Sequence, residues 1–392
     1  MFRIKTLNKI ASVGLAQLDK GRFVVEDDCT NPDGILVRSA KMHDYEFPEA
    51  LRAIARAGAG TNNIPIDRCS EAGIVVFNSP GANANAVKEE VIFAMLAASR
   101  HMFEANEWAK REAASGADVL TTMEKAKSQF AGPEIFGKTL GIIGLGAIGA
   151  KVADAALGLG MNIVGYDPYL SVHAALSLDR RVDVVSNLDD LLKVSDYITI
   201  HVPLVPATRG MFNKQLLHKV KRGARVLNFS RGGLVDSEAM IAALSMGRVG
   251  CYVTDFPDDT LLDVPGVIAI PHLGASTAES EDNCAHMAAA QLAEYLLNGN
   301  IKNSVNYPEA ILPRTTAHRI TIMHRNVTNM VGQITAVLAE SGQNIADMIN
   351  KSRGELAYTI IDTDHDVTPE ETARLLAIDG VIRVRSLGRV EM

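Results

Sequence analysis

The sequence is poor in cysteine and has none of the cysteine spacings that build zinc sites or disulfide frameworks. Its four cysteines, Cys29, Cys69, Cys251 and Cys284, are scattered, and no pair forms a C-x-x-C motif. This pattern argues against a bound metal and against a disulfide-stapled extracellular domain. We therefore expect no metal site and a cytoplasmic location, where thiols stay reduced.

Further absences narrow the class of protein. The formal net charge is −7, which gives no broad affinity for nucleic acid. The first ten residues lack the apolar core of a signal peptide, and the most apolar stretch, residues 140–166, carries Lys151 and Asp154. We therefore expect neither a nucleic-acid partner nor a membrane span. The 392 residues, of which 47% are apolar, suffice for two or three globular domains.

The strongest positive signal is the stretch 139–167, which combines a strand, a glycine-rich turn, a helix and a second strand. An apolar run over 140–143 predicts a buried parallel strand, and residues 144–149 then read Gly-Leu-Gly-Ala-Ile-Gly. Asp167 ends the second strand. Its distance along the chain from Gly144 is near the usual interval for an acid that binds the adenosine ribose. A lone G-x-G-x-x-G is weak, but all the parts in this order predict a dinucleotide site.

Each glycine of this motif has a physical role. Gly144 allows the tight turn, Gly146 lets the backbone approach a pyrophosphate, and Gly149 lets the helix pack on the strand. The diphosphate lies at the helix N-terminus, where free N–H groups and the helix dipole favour an anion. A carboxylate at Asp167 repels a 2′-phosphate, so the cofactor is expected to be NAD rather than NADP.

Polar groups follow four further predicted strands. The carboxyl ends of parallel strands share one edge of a sheet, so Arg231, Asp255 and His272 are expected to lie beside the cofactor crevice. His272 suits a general base because imidazole titrates near neutrality, and Arg231 suits a substrate carboxylate because its guanidinium is a planar fork. The four strands are predicted over 197–202, 225–229, 252–254 and 267–270.

The flanking regions have different patterns. Residues 1–80 indicate an α/β domain with strands at 35–37 and 74–77 and an amphipathic helix around 51–55. A single long helix is predicted from Ala86 to about Arg111. A proline-containing linker over 306–317 precedes a small ferredoxin-like module, 318–392, of βαββαβ order. Its elements are predicted at 319–323, 345–352, 356–362 and 381–387 for the strands and 369–377 for the second helix.

On these motifs the chain resembles the D-2-hydroxyacid dehydrogenase family, in its phosphoglycerate-oxidising branch, and the C-terminal module resembles an ACT regulatory domain. The resemblance covers essentially the whole length and is most specific at 137–146, 166–168, 230–236 and 271–277. It implies an α/β fold of two Rossmann-like doubly wound parallel-sheet domains plus a ferredoxin-like βαββαβ ACT domain. The implied domains are 1–95 with 284–308 for the substrate, 96–283 for NAD, and 318–392 for regulation.

The resemblance also implies an activity. It is the NAD-dependent oxidation of D-3-phosphoglycerate to 3-phosphohydroxypyruvate, the first step of L-serine biosynthesis, in a homodimer or homotetramer with L-serine as an effector. Two alternatives stay open: another D-2-hydroxyacid dehydrogenase of the hydroxypyruvate or D-lactate type, and a non-catalytic NAD-sensing binding protein.

The resemblance assigns roles to individual residues. The expected catalytic residues are Arg231 and His272. The expected cofactor residues are Gly144, Gly146, Ala147, Ile148, Gly149, Asp167, Val202, Pro203, Phe229, Ser230, Asp255, Gly274 and Ala275. The expected substrate residues are Arg38, Arg56, Gly58 and Asn83, and the expected effector residues are His324, Asn326 and Asn344.

The sequence departs from the family pattern at several of these places. The glutamate that holds the catalytic histidine in the family is missing from residues 255–260, so either Asp258 or Asp259 replaces it or the histidine has no acidic partner. Ala147 and Val202 stand where polar residues are common. In the C-terminal module, the usual loop glycine is replaced near Asn329.

Overall fold

The computed structural model describes residues 1–116 and 118–388. The chain divides into two units, one formed by residues 1–83 with the chain from Ala278 onward, the other by Ala84–Thr277. The strands are β1 (Phe2–Thr6), β2 (Phe23–Glu26), β3 (Gly34–Val37), β4 (Ala53–Arg56), β5 (Val75–Phe77), β6 (Thr139–Ile143), β7 (Asn162–Tyr166), β8 (Val182–Val184), β9 (Tyr197–Ile200), β10 (Ala224–Asn228), β11 (Val249–Thr254), β12 (Val267–Ala269), β13 (His318–Arg325), β14 (Ile345–Arg353), β15 (Leu356–Thr363) and β16 (Val381–Leu387).

The helices alternate with these strands in most of the chain. They are α1 (Ser12–Leu15), α2 (Ile66–Glu71), α3 (Ala84–Ser99), α4 (Met102–Ala114), α5 (Val119–Ala126), α6 (Ala147–Gly158), α7 (Val172–Ser177), α8 (Leu188–Val194), α9 (Lys214–Lys219), α10 (Ser237–Ser245), α11 (Ala278–Asn298), α12 (Met330–Glu340) and α13 (Pro369–Leu376), with a 3₁₀ helix at Lys127–Phe130. Within the described residues, no helix is both long enough and apolar enough to cross a bilayer.

The N-terminal part of the first unit is a five-stranded parallel sheet in the order β2-β1-β3-β4-β5. The predicted helix around 51–55 is wrong, because residues 53–56 form the strand β4, paired with β3 and β5. A strand buried on both faces is apolar at consecutive positions, and a run this short fits a helix equally well. The helix α11 packs on this sheet through Leu292 and Tyr295.

The second unit is a seven-stranded parallel sheet in the order β12-β11-β10-β9-β6-β7-β8. All the strands predicted between residues 139 and 275 are present; several ends coincide with the prediction, and the others differ by one to three residues. The strand order reverses at β6, with β7 and β8 on one side and β9 to β12 on the other. In open α/β sheets, ligands bind at the carboxyl ends of the strands beside such a reversal.

The prediction of a single long helix from Ala86 to about Arg111 is wrong, because two helices cover this stretch. The structure divides it into α3 and α4 at His101, which has a φ of 50°. That left-handed conformation cannot continue a right-handed helix. Apolar side chains recur on both sides of the break, so the hydrophobic pattern did not reveal it.

The C-terminal module has the predicted βαββαβ order, with an antiparallel sheet arranged as β14-β15-β13-β16. The helix α13 begins where the sequence indicates, because Thr368 and Glu371 form a reciprocal capping box with Pro369 between them. The strand β13 extends two residues beyond its predicted end, to Arg325.

The module shares a hydrophobic core with the first sheet of its unit. Met323, Tyr358 and Ile360 belong to the same buried cluster as Leu292. The fully buried guanidinium of Arg319 pairs with Asp362 at 2.5 Å. It also donates to the carbonyls of residues 298 and 312, which precede the module. The module is therefore tied into the first unit by apolar and by charged contacts.

Candidate active site

The turn between β6 and α6 depends on three glycines. Gly144 has a φ of 94°, and a Cβ on it would lie 2.5 Å from the carbonyl oxygen of His201. A Cβ on Gly149 would overlap the Gly144 carbonyl, so this glycine allows α6 to pack closely on the turn. A Cβ on Gly146 would meet no described neighbour within 4 Å. The backbone at Gly146 is thus open to an approaching ligand, as a diphosphate requires.

Asp167 follows β7 beside this turn. Its Oδ2 accepts a hydrogen bond from the amide of Leu145 at 3.0 Å, and its Oδ1 accepts one from the amide of Tyr169 at 2.9 Å. These bonds fix the carboxylate, and each oxygen keeps acceptor capacity for a ribose hydroxyl. Ala147 and Ile148 begin α6, where N–H groups have no partner within the helix. The turn and Asp167 together fit a diphosphate and its attached ribose.

A hydrogen-bond network fixes the loops after β9 and β10. The hydroxyl of Ser230 donates to the carbonyl of Val202 at 2.7 Å and joins the two loops. The buried side chain of Asn228 accepts from the amide of Ser230 at 3.2 Å and donates to the carbonyl of Arg231 at 3.0 Å. The position of Arg231 is therefore set by a side chain at the end of β10.

The other expected cofactor residues on this edge differ in exposure. Pro203 is exposed, and Ala275 is half-buried. Phe229 and Gly274 are buried. Phe229 belongs to the apolar cluster between the sheet and α3. Its side chain therefore anchors the start of the loop after β10 in the core.

His272 lies in the loop after β12, and its imidazole packs against the ring of Phe256 with 4.4 Å between centroids. Partial burial, and secondarily the positive charge of Arg231, lower the pKa of His272 below its ordinary value. The imidazole is therefore neutral at pH 7, which is the state that a general base requires. The exposed guanidinium of Arg231 donates to the carbonyl of Ser230 at 2.6 Å.

The two aspartates expected as partners of His272 have other surroundings. Asp258 accepts hydrogen bonds from the hydroxyl of Ser237 and from the amide of Thr260, and these bonds lower its pKa. Asp259 is exposed. Across residues 1–116 and 118–388, no hydrogen bond joins His272 to a carboxylate. The contact that the structure gives the imidazole is the ring of Phe256.

Asp255 directly follows β11 and carries a buried, unpartnered carboxylate. It is 2% exposed, and neither oxygen has a hydrogen-bond partner among the described residues. Burial, and then repulsion by Glu90, raise the pKa of Asp255 to about 7, although Arg231 acts in the opposite direction. Glu90, which lies on α3, was not among the predicted site residues. A signal was available, since Glu90 follows the buried Val87 by three residues and therefore lies on the same side of the helix.

The first unit brings together two of the expected substrate residues. Arg56 ends β4, and its Nε donates to the carbonyl of Arg38 at 3.0 Å. The guanidinium of Arg38 forms an ion pair with Glu281 at 2.6 Å. Gly58 has a φ of 155°, and a side chain there would overlap the guanidinium of Arg56. Asn83 is half-buried in the same unit.

The expectation that His324 lies in a loop is wrong, because β13 continues to Arg325. His324 is 1% exposed, and its Nδ1 bonds to the carbonyl of Arg325 at 2.8 Å. Its Nε2 lies 2.9 Å from the hydroxyl of Thr359 and 3.2 Å from the Asn350 side-chain oxygen. Both ring nitrogens thus have partners inside the sheet, which makes His324 a structural residue of this module.

The two asparagines expected beside it are exposed. Asn326 donates through Nδ2 to the carbonyl of Gly354 at 3.2 Å, and the backbone amide of Asn344 donates to Asp364 at 3.1 Å. Asn329 has a φ of 64° at the start of α12. Asparagine tolerates this left-handed conformation better than most residues do. Asn329 can therefore adopt a backbone conformation that usually favours glycine, the residue that the loop lacks here.

The fold and the glycine turn define an α/β oxidoreductase with a dinucleotide-binding domain. Residues 92–274 match the family described as D-isomer specific 2-hydroxyacid dehydrogenase, NAD binding domain. The chain is 33% identical over 352 residues to the D-3-phosphoglycerate dehydrogenase of Escherichia coli K12, which covers 86% of this chain and 82% of that protein. It is 34% identical over 367 residues to the D-3-phosphoglycerate dehydrogenase of Methanocaldococcus jannaschii.

The solved structures agree with this result. The NAD⁺-bound 3-phosphoglycerate dehydrogenase of Entamoeba histolytica matches with a TM-score of 0.61 and 27% identity, over 78% of this chain and 98% of that one. The chain therefore belongs to the D-isomer specific 2-hydroxyacid dehydrogenase family, and its second unit contains the NAD-binding domain of that family. The chain spans 66% of the length of the M. jannaschii relative and 66% of the length of the Bacillus subtilis relative.

Proposed function

We propose that the protein oxidises D-3-phosphoglycerate to 3-phosphohydroxypyruvate with NAD, the first step of L-serine biosynthesis. The observation that carries this proposal is that Arg231 follows β10 and His272 follows β12 at the dinucleotide-binding edge of the sheet. The substrate is supported by relatives from bacteria and an archaeon, at 31% to 34% identity, that are named D-3-phosphoglycerate dehydrogenase.

In the proposed reaction, each residue has a separate task. NAD supplies the hydride acceptor when it is bound. The glycine turn binds the diphosphate through backbone N–H groups, and Asp167 orients the ribose. His272 accepts the proton of the substrate hydroxyl, for which a neutral ring with a lowered pKa is suited. Arg231 binds the substrate carboxylate through its fork and stabilises negative charge on the reacting oxygen.

The phosphate end of the substrate is assigned to the first unit. Arg56 is the principal candidate because Gly58 leaves room for its guanidinium. Arg38 shares its charge with Glu281, so its attraction for a dianion is weaker. Asn83 is available to donate a hydrogen bond to the substrate.

We further propose that the protein works as a homodimer or homotetramer in the reducing cytosol. Neither α4 nor α5 buries a residue, as far as the described part of the chain extends. Large apolar side chains are exposed along α3, α4 and α5, and such side chains, where they form a patch, mark a surface that a partner covers. They include Phe93, Leu96, Met102 and Leu120. The four cysteines are buried and unpaired, which fits a compartment that keeps thiols reduced.

L-Serine is the proposed effector of the C-terminal module. The exposed Asn326 and Asn344 offer amide donors and acceptors that suit an amino-acid zwitterion. His324 is left out of the binding role because the sheet already uses both its nitrogens.

The reduction direction separates the candidate functions. We expect NADH to be consumed with 3-phosphohydroxypyruvate at a kcat/KM at least about tenfold above that with hydroxypyruvate or pyruvate, since a bound phosphate adds interactions that the smaller acids lack. A preference for hydroxypyruvate or pyruvate would assign the chain to another reaction of the family. NAD binding without turnover of any of the three acids would favour a sensing protein.

A further inference from the structure

Two acidic side chains from distant parts of the second unit converge on Gly274. A Cβ on Gly274 would lie 2.7 Å from Oε2 of Glu90 and 3.7 Å from Oδ2 of Asp255. The Oε2 of Glu90 and both carboxylate oxygens of Asp255 are buried and have no hydrogen-bond partner among the described residues. A buried carboxylate without donors is unstable as an anion, so the pair needs either a proton or a cationic ligand.

The sheet topology places this pair on a particular side of the dinucleotide site. Asp167 follows β7, on one side of the reversal at β6, and Asp255 follows β11, on the other side. A dinucleotide lies across such a reversal with its diphosphate at the glycine turn. Since Asp167 is suited to the adenosine ribose, the nicotinamide half is directed toward the ends of β9 to β12.

The charges around the pair favour one retained proton. Burial raises the pKa of Glu90, and burial together with Glu90 raises that of Asp255. Arg231 is the cation that acts on Asp255, and it faces the substrate in the proposed reaction. Asp258 and the phenol of Tyr252 are the other titratable groups nearby, and both Asp258 and Asp255 raise the pKa of Tyr252. The negative charge of Glu90 near the buried Asp255 carboxyl makes the proton of Asp255 harder to remove.

We propose that Glu90 and Asp255 form a carboxyl pair that retains one proton at the nicotinamide end of the site, and that this pair distinguishes the oxidised from the reduced cofactor. The pair loses its proton to solvent when the cationic nicotinamide ring of NAD⁺ binds, because the positive charge stabilises the second carboxylate. It keeps its proton when the uncharged ring of NADH binds. The inference rests on the NAD site and is independent of which hydroxy acid is the substrate.

Calorimetric titration of the full chain with NAD⁺ and with NADH, in buffers of different ionisation enthalpy between pH 6 and 9, counts the displaced protons. We expect NAD⁺ to displace up to about one proton near pH 7 and NADH none. The dissociation constant of NAD⁺ should fall as the pH rises, by up to about tenfold per pH unit. Glu90→Leu and the isosteric Glu90→Gln should reduce the release near pH 7, because the pKa of Asp255 then lacks the contribution of the neighbouring carboxylate.

The matched control is Glu89→Gln, on the preceding residue of the same helix. Glu89 is exposed and accepts a hydrogen bond from Asn85, so this variant should release as many protons as the parent. Equal proton release by NAD⁺ and NADH would overturn the proposal, as would undiminished release by Glu90→Gln. Failure of NAD⁺ to bind would overturn it as well. Absence of phosphoglycerate turnover with proton release intact would overturn only the proposed function.

Discussion

The ring of Phe256 lies against the imidazole of His272, with 4.4 Å between the centroids and 45° between the planes. A hydrocarbon neighbour shields the imidazole from water and disfavours its charged form, whereas a carboxylate neighbour would favour it. The lowered pKa of His272 follows the first of these effects. The described contact of His272 is thus an aromatic ring, whereas an acidic partner, Asp258 or Asp259, was expected.

Replacing Phe256 by Leu should shift the acidic limb of the pH profile. Loss of the ring admits water to His272 and raises its pKa toward the ordinary 6.5. The base is active when neutral, so kcat/KM for the oxidation should fall near pH 6 and stay nearly unchanged near pH 8. The measurement is kcat/KM against pH for the parent and the variant.

Phe256→Tyr is the matched control, because it keeps the ring and should keep the parent limb. Asp258→Asn should also leave the acidic limb of the pH profile unchanged, since the Asp258 carboxylate already accepts hydrogen bonds from Ser237 and Thr260. If Phe256→Leu leaves the acidic limb of the pH profile unchanged, the ring of Phe256 does not lower the pKa of His272. A shift in Asp258→Asn would instead restore the aspartate as the partner of His272.

The features predicted from the sequence depend on local spacing. The glycine turn and the strand that leads to Asp167 form one continuous stretch. The spacing of residues in this stretch is therefore enough to predict the local geometry of the turn. The positions of the strands in the second sheet were predicted from the alternation of apolar runs and helical segments, whereas their order in the sheet was not predicted. The break at His101 was missed because apolar periodicity continues across it, and β4 was missed because short apolar runs do not distinguish strand from helix.

The missed features of the site depend on long-range contacts. Glu90 lies near Asp255 and Gly274 because α3 packs against β10 and β11. The contact between Phe256 and His272 likewise joins two loops that follow neighbouring strands. The spacing of Glu90 from Val87 indicated the side of α3 on which Glu90 lies, but it did not indicate that Asp255 lies nearby.

Asp167→Ala should weaken NAD binding and reduce the discrimination against NADP. The variant loses the carboxylate that binds ribose hydroxyls and repels a 2′-phosphate, and it also loses the two backbone hydrogen bonds at the turn. The dissociation constants of NAD and NADP are the quantities to measure. Asp154→Ala, at an exposed position on α6, serves as the control. Equal affinity of the parent for NAD and NADP would contradict the assignment.

Arg56→Ala should raise KM for phosphoglycerate much more than KM for an unphosphorylated hydroxy acid. The reason is that the guanidinium is assigned to the phosphate, which the second substrate lacks. Arg22→Ala, at an exposed arginine of the same unit that pairs with Asp19, should change neither constant. An equal increase for both substrates would move Arg56 to a role other than phosphate binding.

Asn344→Ala and Asn326→Ala should raise the concentration of L-serine needed for inhibition. His324→Ala should instead lower the free energy of unfolding by about 1–3 kcal/mol, because it leaves buried hydrogen-bonding groups unpaired. Deleting the module is a poorer test, since it strips Tyr358 and Ile360 from the core of the first unit. Serine binding by calorimetry and inhibition by initial rates are the measurements. If millimolar serine neither binds nor inhibits the parent, the module has another ligand or only supports assembly.

The most direct test of the account is the oxidation of D-3-phosphoglycerate itself, with NAD and a carbonyl trap that removes the product. The parent should generate reduced cofactor, seen by its absorbance. His272→Ala should lower kcat by about 10²–10⁴-fold, because a positioned base contributes this much, while the dissociation constant of NAD stays nearly unchanged. A parent that forms no reduced cofactor from D-3-phosphoglycerate, or a His272→Ala variant with near-parent turnover, would contradict the central claim.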